Sequence, residues 1–449
     1  LAIDLAKSDP VSPARLAAFE VLRRVEDGAF ASILITSRQS ELNQSDRALL
    51  QELVLGVLRQ QLLLDKVIEY FASRRVAEMD QAVRIALRLG LYQLKFLTRI
   101  PASAAVNESV NLMRTARVRS AGGFVNAVLR RATREPDYDP TTEIADPVER
   151  LSIETSHPPW LLRHWIESFG FDVTSELARV NNEAPPLAFR VVNNRADEKV
   201  VLNKLLDSGA TVTPSAIARH GWRLTGPASE LIELARAGEV YVQDEASQLV
   251  IEVLNPQKNE HVLDLCAAPG SKTSQLADLA ENRAVVIAAD VNEARLNTVR
   301  QTAKLHKLDS IQTLVLDGLD QLPFLAHTFD AVLLDAPCSG TGTFRRNPEI
   351  RWRISAADLQ DLSARQVKLL NNAAGAVKPD GRVIYSTCSI EREENEEVVE
   401  AFLASHKKFE RVRPEVREAL ITEPDTVRTW PQRDGTDGFY IAALRRIGR

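Results

Sequence analysis

From residue 244 onward the chain alternates strand-like and helix-like segments, and no other feature narrows its fold as far. Five runs read as strands: His261–Leu265, Ala284–Asp290, Ile311–Leu316, Ala331–Asp335 and Arg382–Ser386. Helical segments follow most of them. Such alternation favours a parallel sheet, because a parallel neighbour is reached only through a long crossover, usually a helix. Asp437–Tyr440 and Ile441–Leu444 read as a final antiparallel pair.

Chemistry gathers where these strands end. An open α/β sheet presents its functional side chains at the carboxyl ends of its strands. Here the ends carry Asp264, Asp290, Asp317 and Asp335 in order. The first strand runs into the turn Cys266-Ala267-Ala268-Pro269-Gly270-Ser271-Lys272, and a helix follows. Small side chains let the backbone approach a ligand, and a helix N-terminus favours negative groups. A phosphate-binding loop ending at Lys272-Thr273 would need glycine at positions 266 and 271. Cys266 and Ser271 stand there, so that reading is rejected. Asp290, roughly 20 positions after the turn, is placed to grip ribose hydroxyls, and Asp317 to meet an adenine edge. A single such aspartate reads as a helix cap; the ordered set describes a nucleoside crevice.

The chain has three cysteines, and two of them carry the reactive chemistry. Cys338 lies in Asp335-Ala336-Pro337-Cys338-Ser339, and Cys388 in Tyr385-Ser386-Thr387-Cys388-Ser389. A buried thiol is ordinarily a small hydrophobe. These two instead follow the last apolar residue of a strand and are flanked by Ser, Thr or Pro. Cys388 is expected at a helix start, where a thiol becomes more acidic. The acidic run Glu391–Glu397 is expected to do no more than complement that helix's dipole. Turn, carboxylates and thiols together imply a thiol-dependent transferase with a nucleoside-bearing cofactor.

Composition excludes other classes. Three cysteines in 449 residues make no disulfide framework, which points to the reducing cytoplasm. The seven histidines are scattered and no Cys-x-x-Cys occurs, so no metal site is expected. No segment approaches the ~20 apolar residues of a membrane span, and Leu1 to Pro10 lacks a signal-peptide pattern. A cytoplasmic monomer without membrane partners is the expectation.

The remainder of the chain differs in kind. Residues 12–134 repeat apolar positions at helical spacing, for example Leu49, Leu50, Leu53 and Val57. Asn43 is placed to cap one of these helices, and Pro101 to break the chain. Residues 1–135 hold 20 Lys+Arg against 14 Asp+Glu; the rest holds 36 against 47. A basic helical module on an acidic body suggests a polyanionic partner, although a solvated helix surface is an equally good reading of charge alone. Residues 136–160, with Pro136, Pro140, Pro147, Pro158 and Pro159, read as a linker. Residues 161–243 read as a small α+β module, and 244–449 as the α/β domain.

The α/β part resembles the Nop/Sun family of RNA cytosine-5 methyltransferases. The matching residues are Asp264–Lys272, Asp335–Ser339, Thr387-Cys388-Ser389, Arg345–Glu349 with Trp352, Glu394-Asn395-Glu396 and Asp437-Gly438-Phe439. Residues 12–134 resemble a NusB-type RNA-binding domain. The resemblance implies a multidomain protein: a NusB-like all-α domain over 1–135, an α+β RNA-recognition module over 161–243, and a Rossmann-like methyltransferase domain with a mostly parallel sheet over 244–449. It implies S-adenosylmethionine as cofactor. As substrate it implies a cytosine of small-subunit ribosomal RNA, met before the subunit is fully assembled. In the family's chemistry a thiolate adds to carbon 6 so that carbon 5 can take the methyl group, and a second thiol assists release. The first role falls to Cys388 and the second to Cys338, with Asp335 at the base edge and Lys272 assisting. Ser271 and Leu319 depart from the family pattern, which usually has Gly and often Arg there. A transfer RNA methyltransferase of the same family and a non-catalytic RNA-binding assembly factor stay open as alternatives. A DNA-type enzyme would place its nucleophile at Cys338 instead.

Overall fold

The computed structural model describes residues 11–448, which form two compact units. One runs to Ala184 and includes Phe344–Arg353; the other comprises Pro185–Thr343 and resumes at Ile354. Among the described residues no helix is long and apolar enough to cross a membrane.

The first unit is helical: α1 (Pro13–Glu26), α2 (Ala31–Gln39), α3 (Gln44–Arg59), α4 (Gln61–Ala72), α5 (Gln81–Phe96), α6 (Ala102–Thr115), α7 (Gly122–Arg134), α8 (Pro147–Thr155), α9 (Pro159–Phe169) and α10 (Phe171–Val180). Leu50, Leu53, Val54 and Val57 form a buried stripe along α3, and they join one core with Leu64, Ile85, Leu89, Val125 and Leu129. Asn43 caps α3 as expected, its Oδ1 accepting from Asp46 N at 2.9 Å. Arg114, Arg117, Arg119, Arg130, Arg131 and Arg134 stand exposed along the end of α6, the following turn and α7.

Two stretches differ from the sequence reading. The expected linker 136–160 holds α8, capped by Asp146 and buried through Leu151 and Ile153. Proline at the first helical position starts a helix as readily as it breaks one. Residues 344–353, expected within the last domain, pack with the helical unit. Phe344 is fully buried beside His157 and Trp165. Glu349 Oε1 accepts from Ala31 N at 2.8 Å, and Arg59 Nη2 donates to Arg345 O at 2.7 Å. The motif Arg345–Glu349 is therefore anchored among helices remote from it in sequence.

The second unit opens with a β-α-β-β-α-β module: β1 (Leu187–Val191), α11 (Glu198–Asp207), β2 (Thr211–Pro214), β3 (Gly221–Thr225), α12 (Ser229–Arg236) and β4 (Val240–Val242). Its sheet order β2-β3-β1-β4, all antiparallel, is ferredoxin-like. The helices α9 and α10, expected within this module, belong to the first unit.

After α13 (Glu245–Leu254) comes the main sheet. Its elements are β5 (His261–Asp264), α14 (Ser271–Leu279), β6 (Val285–Asp290), α15 (Glu293–His306), β7 (Ile311–Val315), β8 (Phe329–Asp335), α16 (Ala356–Ala376), β9 (Val377–Thr387), α17 (Glu396–Ser405), β10 (Phe409–Arg411), β11 (Ile421–Thr422), β12 (Thr426–Thr429) and β13 (Phe439–Arg446). The order is β11-β12-β13-β9-β8-β5-β6-β7, with β10 also on β13. Strands β7, β6, β5, β8 and β9 are parallel; β13 is antiparallel to β9 and β12. This is the expected Rossmann-like sheet. The expected final pair 437–440 and 441–444 is instead the single strand β13, because no turn residue separates Tyr440 from Ile441.

Candidate active site

The chain leaves β5 towards β6 and β7, then returns to the other side of β5 at β8. That reversal is the switch point at which an α/β sheet opens a crevice. Asp264 ends β5, Asp335 ends β8 and Thr387 ends β9, so the 266–272 turn, Cys338 and Cys388 follow strand ends on this crevice.

Cys338 Sγ and Cys388 Sγ lie 3.4 Å apart. This is a hydrogen-bonding separation, far beyond the ~2.05 Å of a disulfide. The hydrogen bond to Cys388 pushes the Cys338 thiol well above its ordinary range, and burial and neighbouring negative groups add to it. The two sulfurs share one hydrogen bond in which either can be the donor. Cys388 is not at a helix start: a short 3-10 turn, Arg392–Glu394, intervenes before α17 opens at Glu396.

Lys272, in the first turn of α14, donates to Asp335 Oδ2 at 2.7 Å, and Ser386 Oγ donates to Asp335 Oδ1 at 2.8 Å. Burial disfavours the Lys272 charge, but Asp335 outweighs it and Cys388 acts in the same direction, so the ammonium is retained. The ring of Phe439 lies 5.1 Å from Lys272 Nζ.

The cofactor-side residues occupy distinct settings. Asp290 Oδ2 accepts from Ala268 N at 3.2 Å and Oδ1 from Asn292 N at 2.9 Å, which ties the 266–272 turn to the end of β6. Ala267 and Ala268 are buried, and Gly270, with φ +103°, precedes α14. Ser271 is the first residue of α14 and so adopts helical backbone that a side chain tolerates. Pro269 stands exposed in the turn. Cys266 packs against the core, and burial pushes its thiol far up. Asp264 accepts from Thr273 Oγ1 at 2.6 Å through Oδ2, while its buried Oδ1 has no partner among the described residues. Burial raises Asp264 to about 7, with Asp335 and Asp290 adding to it. Asp317 lies two residues beyond β7 rather than at its end; it is exposed and accepts from Leu319 N at 2.9 Å.

Residues outside the expected set complete the site. Glu394, expected as part of a dipole-complementing run and of the matching Glu394-Asn395-Glu396 motif but given no role, is fully buried and bonded to both cysteine-bearing loops. Ser339 and Ser389, each directly after a cysteine, are its partners. The signs in the sequence were the Glu394-Asn395-Glu396 match and this repeated Cys-Ser. Gly342 and Gly438 explain the Asp-Gly-Phe motif: Gly342 N donates to Cys388 O at 3.0 Å and Gly438 N to Gly342 O at 2.8 Å. A Cβ on Gly342 would stand 2.0 Å from Gly438 O, so only glycine permits this approach behind Cys388.

Comparison with known proteins agrees with this geometry. The family described as 16S rRNA methyltransferase RsmB/F matches residues 251–445. The NusB family matches 12–134, and the ferredoxin-like domain of RsmF/B-like methyltransferases matches 157–229. The probable ribosomal RNA small subunit methyltransferase B of Bacillus subtilis is 34% identical over 448 residues, covering 96% of this chain and 98% of its own length. The ribosomal RNA small subunit methyltransferase B of Erwinia tasmaniensis is 35% identical over 439 residues, covering 96% and 97%. The crystal structure of PH0851 superposes with a TM-score of 0.84 at 27% identity, covering 98% of this chain and all of that one.

Proposed function

The chain belongs to the 16S rRNA methyltransferase RsmB/F family, and from that premise we propose that it methylates carbon 5 of a cytosine in small-subunit ribosomal RNA. S-adenosylmethionine is the methyl donor in this reading, and Cys388 the nucleophile. The observation that carries it is the 3.4 Å approach of two thiols beside a charged lysine.

The crevice suits this donor. Asp264, Asp290 and Asp335 set three carboxyl groups against the one ammonium of Lys272, and one buried oxygen of Asp264 lacks a partner among the described residues. That field favours a cofactor bearing sulfonium and ammonium charges over a phosphate-bearing one. The 266–272 turn, Asp290 at the ribose and Asp317 at the adenine edge would hold it. When bound, the donor supplies an electrophilic methyl group.

The protein's own groups account for the remaining steps. Carbon 5 of cytosine is a poor nucleophile. Addition of the Cys388 thiolate to carbon 6 makes carbon 5 enamine-like and able to take the methyl group. Lys272 supplies positive charge near that thiolate, and Asp335 meets the base edge. Once Cys388 is a thioether it has no proton or charge of its own and is only a weak acceptor for the Cys338 thiol. Cys338 then loses the largest cause of its weak acidity, can release its proton to water, and can take the proton from carbon 5. Expulsion of Cys388 restores the carbon 5–carbon 6 double bond. The exposed arginines of α6 and α7 and the turn between them supply phosphate contacts.

The two thiols separate the steps. Cys388→Ala should lower methylation at least ~10⁴-fold and leave no covalent RNA adduct. Cys338→Ala should form the adduct and release it poorly, giving a slow-migrating band on denaturing gels. The reverse pattern would assign the nucleophile to Cys338, and normal methylation by both variants would end the proposal. Bisulfite sequencing of ribosomal RNA incubated with protein and donor identifies the modified base.

A further inference from the structure

Residues 337–339 and 387–389 leave two different strands, and nothing in their local sequence holds their thiols together. Backbone bonds join the two loops, Ala336 N donating to Ser386 O at 2.8 Å and Gly342 N to Cys388 O at 3.0 Å; Ser339 Oγ donates to Ser389 Oγ at 3.0 Å, and one buried side chain reaches both serines. Glu394 Oε1 accepts from Ser339 N at 2.8 Å and from Gln366 Nε2 at 2.9 Å. Glu394 Oε2 accepts from the hydroxyls of Ser339 and Ser389. Gln366, on α16, also donates to Pro337 O at 2.9 Å, directly before Cys338. The next residue continues the clasp: Asn395 Nδ2 donates to Ser389 O at 2.9 Å, and Thr387 Oγ1 donates to Asn395 Oδ1 at 2.5 Å. Cys388 is thus held from the residue before it and the residue after it.

We infer that Glu394 is a positioning residue, whose buried carboxylate ties the Cys338 loop to the Cys388 loop and sets the approach of the two sulfurs. A carboxylate offers about four lone-pair sites and no donor. Here four donors from three residues, Ser339, Ser389 and Gln366, converge on it. Burying a charge is costly without such compensation, and burial does push the Glu394 carboxyl upward despite these bonds. The bonds reach both cysteine loops and α16, so a group that is expensive to bury is spent on their mutual register. Glu394 touches neither sulfur by a hydrogen bond; it acts through Ser339 and Ser389.

The inference rests on the two-thiol reading above, and its test has an arm that needs neither RNA nor methyl donor. Diamide, which takes one hydrogen from each of two adjacent thiols, is added to the full-length protein. Formation of the Cys338–Cys388 disulfide is followed by mass spectrometry of proteolytic peptides. Wild type should cross-link readily; its failure to do so would contradict the adjacency and overturn the inference. Glu394→Ala should cross-link at least tenfold more slowly. It should also lower kcat for RNA methylation about a hundredfold while KM stays within about threefold. Glu394→Gln can still bridge both loops, its amide donating to the two rotated hydroxyls, and should restore cross-linking to within about threefold of wild type. Wild-type cross-linking in Glu394→Ala, or no rescue by glutamine, would overturn the tether. If Glu394→Ala does not fold, Ser389→Ala carries the test: it removes one side of the bridge and should slow cross-linking severalfold, and an unchanged rate would refute it. If cross-linking is slow in Glu394→Ala and restored in Glu394→Gln while wild type does not methylate, the cytosine reading falls and the tether stands.

Discussion

Arg88 in the helical unit and Lys272 in the sheet unit are both buried cations facing carboxylates, yet the structure uses them differently. Arg88 is saturated. Its Nε and Nη2 donate to the two oxygens of Asp65 at 2.7 and 2.8 Å, and its Nη1 donates to Glu26 at 2.7 Å. The three residues sit on α5, α4 and α1, so the cluster joins three helices. Lys272 makes one charged contact, to Asp335, and lies within the electrostatic reach of Cys388. A guanidinium whose donors are fixed in a planar fork suits a static joint; an ammonium with rotatable protons can follow charge as it forms on a neighbouring sulfur. The lesson is that burial and pairing alone do not mark a functional cation. What lies beside the cation does: two carboxylates around Arg88, one carboxylate and a thiol near Lys272.

The largest effect expected of this contrast is structural. Arg88→Met should cost about 3–5 kcal/mol of stability, because it leaves Asp65 without its cation, while Glu26 keeps Arg84. Urea unfolding measures the loss, while methylation per folded molecule should not change. A specific loss of activity without destabilisation would break the contrast from the helical side. Lys272→Met should do the opposite: kcat falls ~10²-fold, and stability falls by less than for Arg88→Met. Alkylation of Cys388 by iodoacetamide at neutral pH should slow as well, since a cation that favours the thiolate is gone. Unchanged alkylation and kcat would make Lys272 another structural joint.

The smallest effect concerns the carboxylate that has no cation of its own. Burial raises Asp264 to about 7 in the folded protein, against an ordinary carboxyl value when unfolded. A raised folded value means that protonation favours the fold. The contribution of Asp264 is complete at acidic pH, below the unfolded value, and is lost as pH rises through about 7. Without donor, wild-type Tm should therefore decline from pH 5 to 8 more than that of Asp264→Asn. Parallel curves for the two proteins would show that this charge is compensated after all.

Much of this arrangement is legible in the residues. The strands β5 to β9, the turn at 266–272 and the placement of both thiols after strands all follow from apolar runs broken by small residues. Other elements were hidden. β3 begins with a glycine and carries Arg223, so it does not stand out as an apolar run. β10 to β12 are two to four residues long, too short for periodicity to register. α8 hides behind prolines that start helices rather than break them. Glu394 sits in a run of acids and differs from its neighbours only in what surrounds it.

By itself, then, the sequence determined which elements form and which residue types stand at their ends, because helix and strand periodicity record which side of each element is buried. Adjacency was decided by the tertiary structure. That β5 lies beside β8, that Ser339 and Ser389 meet one carboxylate, and that two sulfurs fifty positions apart stand 3.4 Å from each other are products of strand order and crossover. Those contacts form only when segments distant in the chain pack, and no local pattern of side chains encodes the distance between them.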